Sequence, residues 1–246
     1  ILHILYSTKY EISSFIKFKL KSLLIKYNIV VVMHKIPLFP LNTVLFPKTS
    51  IPLNVFEDRY KCMIRHCIDT QSPFGVVLIR MGSEVGDSAT PYDVGTTANI
   101  TNVNKLEDGR LFITAIGDKI FRINKLIEDK SFLQANVDFL IDDEHQDIHE
   151  SILLELTRLL KNNYRLASGL KREFVSNINI PNNLIDLSYF APSCLLAIEN
   201  MELQRLLEES STKKRLVKSI ELLEKNESVL KDLVSNEFNF GDSIKN

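Results

Sequence analysis

The sequence predicts an α+β protein in which a small β-barrel or closed roll precedes an all-helical half. Three observations carry that expectation. Apolar runs bracketed by Pro37, Pro40, Pro47 and Pro52 give way near Phe56 to a three- and four-residue period. Short strand-like segments then recur at close spacing as far as Ile141, a pattern of closed all-β architectures. Beyond the acidic segment Asp142-Asp143-Glu144-His145-Gln146-Asp147 the strand signals stop and helical stripes replace them.

Taken in order, the proline-broken stretch 36–56 contains short runs such as Thr43-Val44-Leu45-Phe46. Proline cannot donate to a strand ladder, so these runs belong at strand ends, edges or bulges. From Glu57 the residues Phe56, Tyr60, Met63, Ile64 and Cys67 form one stripe of a helix reaching about Thr70, with Glu57 and Asp58 in its first turn complementing the dipole. Pro73–Arg80 reads as a buried strand and Val94–Val103 as a second one rich in Thr, Val and Ile. Glu107-Asp108-Gly109 is a hairpin turn signal, with Leu111–Ile116 returning from it. A further turn is expected at Gly117-Asp118, then a strand around Ile120–Ile123 and a last one in the alternating segment Phe132–Ile141.

In the second half, Ile152, Leu156, Leu159 and Leu160 mark one helix, and Pro181 opens a second helical stretch through Ser210. Ser211-Thr212 caps a final helix whose stripe is Leu216, Ile220, Leu223, Leu230 and Val234. Glu227 interrupts that seam, which argues against a long coiled coil. The expected units are therefore 33–141, 142–236 and a frayed tail over 237–246.

Residues 1–32 stand apart. They lack an initiator Met, the first being Met33, and their lysines are scattered among apolar residues with no small-residue cleavage site after them. A start placed upstream of Met33 is the preferred reading, beside a real extension or an amphipathic presequence. The longest uncharged run, Tyr27–Met33, is far short of the ~20 apolar residues that span a bilayer.

Composition narrows the functional classes. A net charge of −1 provides no global attraction for nucleic acid or anionic membrane. The three cysteines, Cys62, Cys67 and Cys194, are too few and too irregularly spaced for a disulfide scaffold or zinc site, and point to a reducing, cytoplasmic setting. Cys62 and Cys67, five apart on a helix, do not share a face and read as buried small hydrophobes. Ser193-Cys194 has no base nearby in sequence to activate a nucleophile. His145 and His149 sit i, i+4 in an acidic stretch, yet no third ligand is evident, so a solvated helix start is the preferred reading. No catalytic residue, metal or cofactor is expected.

The stretch 36–64 resembles the start of the LON substrate-binding domain, the N-terminal domain of Lon-type ATP-dependent proteases. The residues that carry it are Pro37-Leu38-Phe39-Pro40-Leu41, Phe46-Pro47, Pro52-Leu53 and Phe56-Glu57-Asp58-Arg59-Tyr60. Phe74-Gly75-Val76, Val94-Gly95-Thr96, Asp108-Gly109-Arg110, Leu184–Tyr189 and Leu203–Glu208 follow in the expected order, so the resemblance covers roughly 36–232. Lys48 stands where a glycine is common and Asn54 where a histidine is common.

The resemblance implies a PUA-like β pseudo-barrel followed by a C-terminal α-helical bundle. It also implies a non-enzymatic module that binds unfolded polypeptide or a specific protein partner, linked to proteolysis. None of the eight glycines is followed by lysine, so no P-loop is legible and a stand-alone LON domain is expected. Leu38, Phe39, Phe46, Glu57, Arg59 and Tyr60 are the candidate binding residues. Four of them also have a plainer reading: Glu57 at a helix start, Arg59 clamping a loop or carbonyl, and Phe39 and Phe46, like Phe56, as core. RNA binding by a PUA-like barrel is the alternative function. Its main basic cluster, Lys213-Lys214-Arg215 with Lys218, falls on a helix rather than on a barrel face.

Overall fold

Prolines shape the first wall of the sheet, because β1 (His34–Leu41) and β2 (Ser50–Val55) both carry them. The computed structural model describes residues 34–86, 89–143, 147–171 and 178–242. Helix α1 (Asp58–Thr70) follows β2, then strands β3 (Phe74–Met81), β4 (Thr90–Lys105), β5 (Leu111–Ile127) and β6 (Gln134–Phe139). Helices α2 (Glu150–Lys171), α3 (Leu184–Ser193), α4 (Asn200–Glu208) and α5 (Thr212–Asp242) complete the α+β order.

The strand order is β2-β5-β4-β3-β1-β6, and β6 pairs with β5 as well, so five strands form a closed ring. Long β5 makes this possible. Its first half holds β2, with Leu53 opposite Ile113, and its second half holds β6, with Ile123 opposite Val137. β1 runs parallel to β3, Phe39 facing Val76.

Two expectations fail in this region, each for a physical reason. Thr43–Phe46 is a loop, not a strand. Its consecutive apolar side chains serve different interiors: Leu45 enters the cluster around Met63 and Phe74, whereas Phe46 enters the cluster beneath the helices. The backbone is satisfied individually, with Thr96 Oγ1 donating to the Leu45 carbonyl at 2.6 Å and Thr49 Oγ1 to that of Phe46 at 2.7 Å. The expected turn at Gly117-Asp118 is likewise absent, because β5 passes straight through it. Gly117 instead allows close approach: a Cβ there would lie 2.3 Å from the Phe46 carbonyl oxygen. The partner loop turns at Lys48, which adopts φ 61°, the left-handed region in which glycine is at ease.

Helix α1 ends where expected, its carbonyls closed by Gln71 in the left-handed conformation. It buries Tyr60, Met63, Ile64 and Cys67 against the sheet, but Phe56 and Cys62, expected on the buried side, are exposed.

The second helical stretch is split in two. Asn183 caps α3 by accepting the Asp186 N–H at 3.0 Å, and Pro192 sits in its last turn. The turn after it is held by α5, where Asn226 Oδ1 accepts the Ala197 N–H at 2.8 Å. Ser211 Oγ accepts the Lys214 N–H at 3.3 Å, as its capping role requires, and α5 continues to Asp242, past the expected start of the tail.

The inner face of α5 is less apolar than its stripe suggests. Asn226 donates to Asn163 Oδ1 at 2.7 Å, and Asn163 donates to the Leu159 and Leu223 carbonyls. Arg215, 0% exposed, lies 3.7 Å above the Tyr189 ring, with Nη2 3.1 Å from Asp142 and 2.8 Å from Ser188 Oγ. Asp142 follows the last strand, so this buried pair ties the end of the sheet to α3 and α5.

Candidate functional site

The sequence motif Phe56-Glu57-Asp58-Arg59-Tyr60 becomes the entry to α1, and its side chains diverge as the helix begins. Glu57 keeps an extended backbone (φ −73°, ψ 135°), which leaves Phe56 pointing to solvent, 47% exposed, while Tyr60 turns inward one helical step later. Tyr60 stacks on Phe39 of β1, ring centroids 4.2 Å apart and 23° from parallel, and Phe39 meets Phe74 at 6.1 Å. Burial pushes the Tyr60 phenol above its ordinary range, opposed by the guanidinium of Arg59, which lies 4.6 Å from the ring centroid.

Arg59 is poorly served for a side chain only 23% exposed. Its Nη2 lies 3.0 Å from Glu57 Oε2, close enough for an ion pair but not aligned as a hydrogen bond, and Nε has no acceptor among the described residues. Glu57 Oε2 also accepts the Gly86 N–H at 3.3 Å, and Glu84 Oε1 accepts the Asn42 N–H at 3.0 Å. The loop after β3 is thereby drawn across the helix start.

Between β2, β1 and this loop runs a groove of about 210 Å³. Phe39, Leu41, Leu53, Val55 and Tyr60 supply apolar walls, Phe56 and Val85 stand exposed at the rim, and Glu57 and Glu84 are its charged groups. Such a groove suits an apolar side chain carried on a polar backbone.

The structure brings together four of the six candidate residues: Phe39, Glu57, Arg59 and Tyr60. It does not bring Leu38 and Phe46 with them. At 0% and 1% exposure these lie in two other clusters of the core, out of reach of any partner. Phe56, Glu84 and Val85 are the residues that sequence reasoning missed. Phe56 fell in register with a helical stripe, and the loop 82–86 carries no motif.

His145 lies outside the described residues, and exposed His149 pairs its Nδ1 with Ser151 Oγ at 2.8 Å. Among the described residues no three His, Cys, Asp or Glu side chains converge as metal ligands would. Burial pushes the thiols of Cys67 and Cys194 up to about 11, so both hold their protons at neutral pH. The basic cluster at the start of α5 is broken up by folding, since Arg215 is buried in its ion pair. Among the described residues no helix is long and apolar enough to cross a membrane.

The model of the ATP-dependent protease La (LON) substrate-binding domain matches residues 35–225. The chain belongs to that family. It is 29% identical over 204 residues to Lon protease 2 of Myxococcus xanthus, and 28% identical over 203 residues to the Lon protease of Anaeromyxobacter dehalogenans. Each match covers 80% of this chain but 24% of the relative, so the LON domain here spans about a quarter of the length of the curated relatives it matches. Among solved structures, a Lon N-terminal domain protein from Xanthomonas campestris is 27% identical with a TM-score of 0.56, covering 74% of this chain and 95% of its own. The N-terminal domain of a Mycobacterium avium complex Lon protease shares the fold at 17% identity and a TM-score of 0.60, covering 78% and 98%. The family is described as a substrate-binding domain.

Proposed function

We propose that this LON domain is a non-enzymatic recognition module that binds unfolded polypeptide or a partner protein through the groove beside α1. The observation that carries the reading is the half-exposed Phe56 standing at the mouth of an apolar groove floored by the Phe39–Tyr60 stack. Phe39, Glu57 and Tyr60 form the wall, Arg59 pairs with Glu57 beside it, and Phe56 and Val85 give the contact surface. The closed ring of strands is a PUA-like pseudo-barrel over 33–141 and the helices over 142–236 are its supporting bundle. The setting is cytoplasmic, in keeping with three free cysteines, and the module serves proteolysis by presenting bound chains.

Fluorescence anisotropy with the whole chain tests this. Labelled reduced, carboxymethylated α-lactalbumin is expected to bind, and to remain bound at moderate salt, because apolar burial is not screened. Phe56→Ser is expected to weaken binding at least ~5-fold, as loss of an interface aromatic worth ~1 kcal/mol or more requires, with little change in thermal stability. Salt-sensitive binding of labelled RNA without polypeptide binding would overturn the proposal.

A further inference from the structure

β2 is the end strand of the sheet order and pairs only with β5 among the described strands. Which of its backbone groups face outward follows from β5. The Gly117 N–H donates to the Thr49 carbonyl at 2.9 Å and its carbonyl accepts the Lys48 N–H at 2.7 Å, so Gly117 faces the β2 side. Thr114 faces the other way, its carbonyl accepting Thr101 Oγ1 of β4 at 3.1 Å. In an antiparallel pair the residues opposite one another alternate between bonded and non-bonded. Pro52 is opposite Thr114, and is therefore in a non-bonded pair, as are Ser50 opposite Ile116 and Asn54 opposite Phe112. Their carbonyls, and the N–H groups of Ser50 and Asn54, point away from the sheet. Proline stands at the outward position where the chain can dispense with a donor.

This open edge coincides with the groove. Pro52, Asn54 and Phe56 line it together with the apolar floor, so unpaired backbone groups and a side-chain pocket lie side by side. No backbone bond to Ser50, Pro52 or Asn54 on that side occurs among the described residues. The groove's charged lining is Glu57 and Glu84; Arg59, outside the lining, already pairs with Glu57 at 3.0 Å, which leaves Glu84 as the carboxylate with no ion pair among the described residues. A helical occupant, whose backbone is already bonded internally, would leave the edge unused. An extended one would satisfy it.

From this geometry we infer that the domain takes polypeptide as an added β-strand on the free edge of β2. The bound segment is extended, places an apolar side chain in the groove, and carries a lysine or arginine beside Glu84. The inference rests on the polypeptide-binding reading above and specifies its mode.

Amide-resolved hydrogen exchange on the whole chain distinguishes the two. With saturating reduced, carboxamidomethylated lysozyme, a cationic unfolded probe, the Asn54 amide is expected to slow at least ~10-fold, the free-energy equivalent of one well-formed hydrogen bond. The Leu53 and Val55 amides, already within the β2–β5 ladder, are expected to change far less. The cationic probe is expected to bind at least ~3-fold tighter than reduced, carboxymethylated α-lactalbumin at low salt, since a close charge pair at a rim is worth several tenths of a kcal/mol or more. Binding by anisotropy with no protection at Asn54 would overturn strand addition while leaving the groove as the site. Protection of Asn54 on concentrating the protein alone would assign the edge to a second copy and overturn it as well. Absence of any polypeptide binding would overturn both readings.

Discussion

Replacing Arg215 by methionine removes a charge from the interior while keeping an unbranched apolar stem in its place. The guanidinium is wholly buried, bonds Ser188 Oγ through Nε at 2.9 Å and Nη2 at 2.8 Å, donates to the Glu209 carbonyl, and lies 3.1 Å from Asp142. Methionine leaves all of these acceptors without it. Among the described residues Asp142 then keeps the Tyr189 hydroxyl, which donates to it at 2.5 Å. Breaking a buried pair from one side costs about 3–5 kcal/mol, because the remaining charge, here 16% exposed, stays largely desolvated without its counterion. For a domain of this size each kcal/mol moves Tm by roughly 2–4 °C, so a fall of roughly 6–20 °C is expected. Urea denaturation checks it: the midpoint should drop with the slope unchanged. Asp142→Asn, made alone and with Arg215→Met, completes a double-mutant cycle, and a coupling above ~1 kcal/mol is expected for groups in one network. A loss below ~1 kcal/mol for Arg215→Met would refute the reasoning, since it would mean that the guanidinium is solvated and the pair does not tie the sheet to the helices.

Two other perturbations test the packing. Gly117→Ala drives a methyl to 2.3 Å from the Phe46 carbonyl oxygen, and a loss of about 1–3 kcal/mol in chemical denaturation is expected as the loop shifts. The thiols give a pH test: Cys67 and Cys194 are held near 11 when folded against an ordinary 9.0, so the folded chain retains protons that the unfolded chain releases. Their stabilisation is complete below about pH 9 and is lost between about 9 and 11, and Cys67→Ala with Cys194→Ala should flatten that slope. At pH 8 a thiol reagent should modify exposed Cys62 promptly and the other two only on unfolding.

The order of strands and helices was legible because period and punctuation carry it. Alternation marks β6, the three-four spacing marks α1, and Ser211 caps α5 as its side chain permits. What escaped depends on neighbours remote in sequence. Leu45 and Phe46 read as strand because they are adjacent and apolar, but only the assembled sheet and helices show that they face different interiors. Gly117 is turn-like in composition, and its reason for being glycine is a carbonyl 71 residues' distance up the chain at Phe46. The polar members of α5, Arg215 and Asn226, interrupt an apolar stripe and find their partners in Asp142, Tyr189 and Asn163. At the site, the motif around Glu57 was visible, whereas Phe56 was misplaced because a single extended residue at 57 takes it out of helical register. Glu84 and Val85 belong to a loop whose position is set by hydrogen bonds, not by pattern.

The loop 43–46 has a consequence for how the molecule comes apart. Leu45 anchors the interior under α1, and the next residue, Phe46, anchors the interior under α2, α3 and α5, where Val94 and Ile120 of the sheet also reside. Loosening the helices therefore strips apolar cover from β4 and β5, and opening the sheet withdraws Phe46 from the helices. The two layers are expected to melt in a single transition. A protease that nicks between Phe139 and Glu150 would cut the backbone and still find the two halves held together.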